Sequence, residues 1–142
     1  MFKFNAQLAF FLLVLPAASV SKTCGILNPS SFAVRGGFNA PVDSSARWKS
    51  GGHIKIDKGY LCPYLYTRIW GESGRETSRL VVFDNNYNYL GSYSLVGPLD
   101  VRVKNNKLVV RTMMGRDDLL IFRSTNLPDR IYVAGEYVEL FK

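Results

Sequence analysis

The stretch Asp100–Thr112, which is DVRVKNNKLVVRT, decides the fold class. Two runs rich in β-branched residues, Asp100–Lys104 and Lys107–Thr112, flank the pair Asn105-Asn106. Apolar and polar residues alternate in the first run, which is typical of a half-buried β-strand. Asparagine tolerates the positive φ angles that a two-residue hairpin turn requires. The stretch therefore predicts an antiparallel β-hairpin.

Strand-like segments separated by turn residues continue on both sides of this hairpin. Pairs of them face each other across short turns at Asn85-Asn86 and Ala134-Gly135, which predicts two more hairpins. The segments are His53–Asp57, Tyr60–Trp70, Arg79–Asp84, Tyr87–Leu95, Asp118–Arg123, Arg130–Val133 and Glu136–Phe141. Together they predict an all-β fold of about 8–10 short strands, a small antiparallel meander closed as a barrel or folded as a sandwich.

The chain before residue 53 has a different character. Residues 22–52 are rich in glycine, proline and serine, which predicts an irregular lead-in. Within it, Val42–Lys49 predicts one or two helical turns, with Asp43 as the N-cap. We therefore expect a single β-rich domain over residues 22–142, with its strand-rich core over residues 53–142.

Residues 1–21 have the organisation of a secretory signal peptide. Lys3 precedes the apolar run Leu8–Leu15, and the small residues Ala17–Ser19 follow that run. The run is too short to span a bilayer, which takes about 20 residues. We therefore expect cleavage of this segment and a mature protein that is secreted or periplasmic.

The two cysteines, Cys24 and Cys62, both follow the expected signal peptide. Export leads to an oxidising compartment, where an even number of cysteines usually pairs. A Cys24–Cys62 bridge would close a loop of about 38 residues and stabilise the fold by about 4 kcal/mol. The alternative is a nucleophilic Cys62 assisted by His53, which an oxidised pair excludes.

Composition and charge limit the class of protein and of partner. With 142 residues, the chain has room for one domain, and an aromatic share of 13% excludes a disordered tail protein. The formal net charge of +7 favours acidic partners. We expect a protein partner; an acidic glycan, a cell-wall polymer or an anionic membrane surface is the alternative, and export argues against nucleic acid.

The sequence contains no recognisable catalytic, metal or cofactor motif. The single histidine, His53, is four strand positions from Asp57, about 13 Å away. Ser73 lacks the glycine pattern of an esterase elbow, and the acidic pair Asp117-Asp118 lacks the spacing of a calcium loop. We therefore predict a non-enzymatic protein without a cofactor or a metal site. A small secreted hydrolase with two facing carboxylates is a less favoured alternative.

Aromatic residues at alternate positions of two strands are the candidate binding residues. Each set is expected to share one face of its strand; the sets are Tyr87, Tyr89 and Tyr93, and Tyr64, Tyr66, Arg68 and Trp70. Tyrosine, tryptophan and arginine anchor protein interfaces, and sugar rings stack on the same aromatic side chains. The same alternation also builds a β-sheet core or a cross-strand ladder.

An exported, basic β-domain with one disulfide and no catalytic motif predicts a protein that acts by binding another protein. Effectors, inhibitors and immunity factors work in this way. The alternative function is that of a glycan or envelope-polymer binding module. That alternative requires the tyrosine-rich face at Tyr87, Tyr89 and Tyr93 to be flat and exposed to solvent.

Overall fold

The computed structural model describes Cys24, Phe38, residues 46–72 and residues 74–142. In this part of the chain there are ten β-strands and no helix, so the all-β prediction is confirmed. The strands are β1 (Ala46–Ser50), β2 (Ile54–Ile56), β3 (Gly59–Trp70), β4 (Arg75–Asp84), β5 (Tyr89–Leu95), β6 (Pro98–Lys104), β7 (Lys107–Thr112), β8 (Asp117–Leu120), β9 (Arg130–Val133) and β10 (Glu136–Phe141). The expected signal peptide, residues 1–21, lies outside the described residues.

The strands form two antiparallel sheets. The larger sheet has the order β1-β3-β4-β5-β10-β9, and β2 also pairs with β3; the smaller sheet has the order β6-β7-β8. The predicted hairpin turns are confirmed, because Asn105 and Asn106 have φ angles of 51° and 58°, and Ala134 and Gly135 have φ angles of 54° and 84°. Among the described residues, no helix is long and apolar enough to cross a membrane.

The expectation of helical turns at Val42–Lys49 is wrong for the residues of that segment that the structure describes. Residues 46–50 form β1, which pairs with β3 from Ala46 opposite Arg68 to Ser50 opposite Tyr64. Helix propensity is a weak local preference that tertiary contacts override. Pairing with β3 satisfies the backbone groups on one side of β1, which is an edge strand, and brings Trp48 against a buried cluster of aromatic side chains.

One face of the larger sheet packs against the smaller sheet. The alternating side chains of β4 and β7 meet there, with Leu80 and Val82 from one sheet and Leu108 and Val110 from the other, all fully buried. The shared core is completed by other buried residues, namely Ile54, Ile56, Leu61, Leu65, Tyr93, Leu95, Val101, Leu120, Phe122, Leu127, Ile131 and Val133. Because it draws on both sheets, this core fixes one sheet against the other.

The opposite face of the larger sheet carries a second core, which we call the aromatic cluster. Its buried members are Phe38, Cys62, Tyr64, Tyr66, Val81 and Phe83. The ring centroid of Phe38 lies 5.5 Å from that of Trp48 and 5.4 Å from that of Tyr66. The predicted disulfide is confirmed, and it links Cys24 to Cys62 in this cluster. The sequence of β3 is apolar on both faces, and this pattern correctly predicted a strand that is buried on both sides.

Gly91 allows β10 to lie close to β5. A Cβ atom at this buried position would be 2.5 Å from Leu140 Cδ1 and 3.1 Å from the carbonyl oxygen of Phe141. We expect Gly91→Ala to lower the free energy of unfolding by about 1–3 kcal/mol, because Leu140 or the β10 backbone has to move. Urea unfolding measures the effect. The control Ser94→Ala, at an exposed position of the same strand, should stay within about 0.5 kcal/mol of the wild type; equal stabilities for both variants would contradict the prediction.

Candidate binding surface

The expectation that Tyr87, Tyr89 and Tyr93 share one face is wrong. Tyr87 lies in the turn before β5, with a φ angle of 61°. The carboxylate of Asp84 organises that turn, because its Oδ1 atom accepts hydrogen bonds from the backbone N–H groups of Asn86 and Asn88 at 2.8 and 2.9 Å. The predicted strand Tyr87–Leu95 therefore begins two residues later than expected.

A β-bulge separates the other two tyrosines. Val82 pairs with Gly91 and Phe83 pairs with Tyr89, so one extra residue of β5 lies between consecutive partners in β4. An extra residue reverses the side-chain alternation on its strand. Tyr89 consequently packs against the aromatic cluster, whereas Tyr93 points into the core shared by the two sheets.

Tyr93 has a structural role in that core. Its side chain is fully buried, and its hydroxyl donates a hydrogen bond of 2.6 Å to the carbonyl oxygen of Pro128. Burial, and then the carboxylate of Asp129, raise the pKa of the Tyr93 hydroxyl above its ordinary value. The flat, exposed face formed by the three tyrosines, which the glycan alternative requires, does not exist in the described structure.

The second set of candidates divides into a buried and an exposed part. Tyr64 and Tyr66 are 1% and 3% exposed and belong to the aromatic cluster. Trp70 is 46% exposed near the end of the same strand, and the guanidinium carbon of Arg68 lies 3.7 Å from its ring centroid. The indole N–H of Trp70 donates a 2.8 Å hydrogen bond to Thr77 Oγ1, which fixes the ring.

Further exposed aromatic side chains lie on β9 and β10, outside the two sets of binding residues expected from the sequence. Tyr132, Tyr137 and Phe141 are 54%, 67% and 51% exposed. Tyr132 pairs directly with Tyr137, and their ring centroids are 5.1 Å apart. The signal was present in the sequence, because Ile131 and Val133 alternate with Arg130 and Tyr132, so one face of the hairpin is apolar and buried and the other is aromatic and charged.

Arginine side chains lie against two of these rings as well. The guanidinium carbon of Arg130 is 5.1 Å from the ring centroid of Tyr137, and that of Arg79 is 5.9 Å from the ring centroid of Phe141. Such cation–π contacts orient both groups. With the Arg68–Trp70 pair, three aromatic rings on the larger sheet therefore each carry an arginine.

Strand register places these pairs on the same face of the larger sheet as the aromatic cluster. Phe141 is opposite Ser92, which is opposite Val81 of the aromatic cluster. Because side chains alternate along each strand, Arg79 and Tyr137 lie on that face too. We call this surface the aromatic–arginine face, defined by Arg68, Trp70, Arg79, Arg130, Tyr132, Tyr137 and Phe141.

The other residues with reactive side chains have structural or solvent-exposed positions. Asp117 forms an ion pair with Arg111 at 3.1 Å, and Asp118 accepts a 3.0 Å hydrogen bond from the backbone N–H of Ala134. His53 is exposed, with its ring edge-on to Tyr60 at a centroid distance of 5.1 Å. Cys62 is oxidised in the disulfide. Among the described residues, no group of three or more His, Cys, Asp or Glu side chains is arranged to hold a metal ion.

Among the described residues, four of the five exposed aromatic side chains, Trp70, Tyr132, Tyr137 and Phe141, thus lie on the aromatic–arginine face, and the fifth is Tyr60. Comparison of the chain with protein-family models, with curated proteins and with solved structures finds no match in any of the three.

Proposed function

We propose that this protein is exported and acts, without catalysis, by binding another protein through its aromatic–arginine face. The observation that carries this proposal is the combination of three exposed aromatic rings, each with an arginine guanidinium against it, on one face of a sheet. Tryptophan, tyrosine and arginine are the residues that most often dominate the binding energy of protein interfaces. The underlying sheet is buried on its other side and gives these side chains a rigid support.

The partner is a protein whose docking surface is apolar and acidic. Three arginines lie on the aromatic–arginine face. On β10, the side chain of Glu139 is on the same face of the sheet, opposite Arg130. A guanidinium group binds a carboxylate with two parallel hydrogen bonds. The chain as a whole carries a net charge of +7, to which Lys3 of the expected signal peptide contributes one; the positive charge of the remaining chain accelerates association with an acidic partner and opposes a basic one.

The geometry of the face favours a protein over a sugar chain. The rings of Tyr132 and Tyr137 are inclined at 65° to each other, so they do not form a flat platform. One side of the Trp70 ring is covered by Arg68 at 3.7 Å. A row of sugar rings needs open, nearly coplanar aromatic faces, whereas a protein side chain fits between inclined rings.

Export is the second part of the proposal. The disulfide is compatible with an extracellular location, because such bonds persist in oxidising compartments. The signal-like character of residues 1–21 supports secretion or transfer to a periplasm. The core shared by the two sheets supports a sandwich as the finer description of the fold, since the side chains of two separate sheets meet there.

Affinity capture with the mature chain, residues 22–142, tests the function. The chain is immobilised, exposed to extract from its own organism and from a host, and washed at high salt. A retained protein is then produced pure, and its affinity is measured for the wild type and two variants. We expect Tyr137→Ala to weaken binding by more than about 10-fold, and Leu119→Ala, which removes a 60%-exposed side chain from the other sheet, to leave binding unchanged.

Two results would contradict the proposal. One is a purified partner that binds Tyr137→Ala and the wild type equally well. The other is a partner whose affinity falls with Leu119→Ala and not with Tyr137→Ala, since binding would then involve the smaller sheet. Thermal unfolding of both variants, compared with that of the wild type, confirms that any loss comes from the binding surface.

A further inference from the structure

Two neighbouring clefts lie between the β2–β3 region and the turn of the β6–β7 hairpin. The larger has a volume of about 930 Å³ and includes Lys55, Lys107 and Arg123 in its lining. The smaller has a volume of about 430 Å³ and includes His53 and Tyr60. Lys55 and Asn106 line both clefts, so the clefts adjoin at these two residues. We call the two clefts together the basic groove.

Asn106 gives the groove a fixed shape. Its side chain accepts a 2.7 Å hydrogen bond from the backbone N–H of Lys55 and donates a 2.9 Å hydrogen bond to the carbonyl oxygen of the same residue. The side-chain amide of Asn106 therefore bonds to Lys55 as the backbone of a neighbouring strand would, and it holds the hairpin turn against β2. Both turn residues, Asn105 and Asn106, have positive φ angles, which suit a tight two-residue turn.

The cations of the groove differ from three other cations of the two sheets. Lys49 forms an ion pair with Asp100, and Arg102 and Arg111 both form ion pairs with Asp117. The two carboxylates partly neutralise these three positive charges. Lys55, Lys107 and Arg123 form no such pair with a described carboxylate, although a described acid, Asp57, also lines the larger cleft. The groove thus has an excess of positive charge.

We propose that the basic groove binds an acidic polysaccharide, through the carboxylate or sulfate groups of successive sugars. Each of its two clefts has a volume within the range of ligand sites, about 300–1,000 Å³. Cations from separate segments of the chain, Lys55, Lys107 and Arg123, line the larger cleft, which fits a chain of repeated anionic groups rather than a compact ion. Tyr60, 37% exposed at one end, offers a ring for a sugar to pack against.

The rest of the molecule favours a sugar polymer over a nucleic acid. Single-stranded nucleic acids bind to several stacked aromatic rings. Among the described lining residues of the two clefts, the exposed rings are those of Tyr60 and His53, which meet edge-on and do not form a stacking platform. The disulfide is compatible with an extracellular location, where acidic polysaccharides are the common polyanions. The site is separate from the aromatic–arginine face, so the inference does not depend on the proposed function.

Binding of size-defined heparin oligosaccharides to the full chain tests the inference. The probe is titrated at several salt concentrations, with a neutral dextran oligosaccharide of the same length as the reference. We expect the double variant Lys107→Ala with Arg123→Ala to bind heparin about 10-fold or more weakly. We also expect the slope of log Kd against log salt concentration to fall by about two, because each cation at an anionic group releases about one counterion.

A matched double variant separates the groove from net charge. Arg102→Ala with Arg111→Ala also removes two cations, but from side chains paired with Asp117. The inference requires that this control, and Tyr137→Ala of the aromatic–arginine face, bind heparin as the wild type does. Equal losses of heparin affinity in the two double variants would overturn the inference. It would also be overturned if the protein bound a single-stranded oligo(dT) more tightly than heparin, or if it bound dextran as tightly as heparin.

Discussion

Loss of the Cys24–Cys62 disulfide is expected to lower the free energy of unfolding by about 4 kcal/mol. The bridge joins residues 38 positions apart in the sequence, and a closed loop of this length restricts the unfolded chain by about that amount. It also fixes Cys24 to the aromatic cluster, where Cys62 is 1% exposed. Such a loss is a large part of the stability of a small domain, about 5–15 kcal/mol in total.

Urea unfolding, followed by tryptophan fluorescence, measures this loss in the oxidised and the reduced wild type. The double variant Cys24→Ser with Cys62→Ala is the control, because it has no bridge and should be insensitive to the reductant. We expect its stability to match that of the reduced wild type to within about 1 kcal/mol. A reduced wild type that is as stable as the oxidised one would show that the bridge does not constrain the chain.

Phe83→Ala is expected to destabilise the protein by about 3–5 kcal/mol, the usual loss for a large side chain removed from a core. Phe83 is fully buried, pairs with Cys62 and packs against the rings of Tyr64 and Tyr89, with centroid distances of 5.9 and 6.2 Å. Its removal leaves a cavity in the middle of the aromatic cluster. The neighbouring rings are held by the sheet and have little freedom to fill it.

Phe141→Ala is the matched control, since the same side chain is removed from a position that is 51% exposed. We expect a loss of less than about 1.5 kcal/mol there, because fewer buried contacts disappear. Urea unfolding of both variants gives the comparison. If the two losses are equal, the aromatic cluster is not a tightly packed core, and the description of β3 as a strand buried on both sides is wrong.

The hairpins could be predicted from the sequence because their signals are local. The turn at Asn105-Asn106 and the strand Lys107–Thr112 are where the residue types place them, and so are Arg130–Val133 and Glu136–Phe141. In each case a turn with positive φ angles separates two strand-forming segments, and along Arg130–Val133 exposed and buried side chains alternate. Local residue types decide such a turn without help from distant parts of the chain.

The binding surface could not be predicted in the same way, because it depends on pairing between distant strands. The bulge in β5 adds one residue relative to β4, and nothing in the alternation of Tyr89 and Tyr93 reveals that they face opposite sides. Tyr64 and Tyr66 were candidates because they are aromatic, but Phe38 lies over Tyr66 from far along the chain. Exposure of Tyr137 likewise follows from the position of β10 in the sheet rather than from its own sequence.

The position of β10 has a consequence for how the chain reaches its final form. β10 lies between β5 and β9 and pairs with both. It follows all its neighbours in chain order, so β9 has no link to the larger sheet until residues 136–141 are free to insert. While residues 136–141 are still held in a ribosome or a translocation channel, the larger sheet is incomplete and has an open edge at β5. Docking of β10 is therefore expected to close that edge and to complete the aromatic–arginine face in a single step.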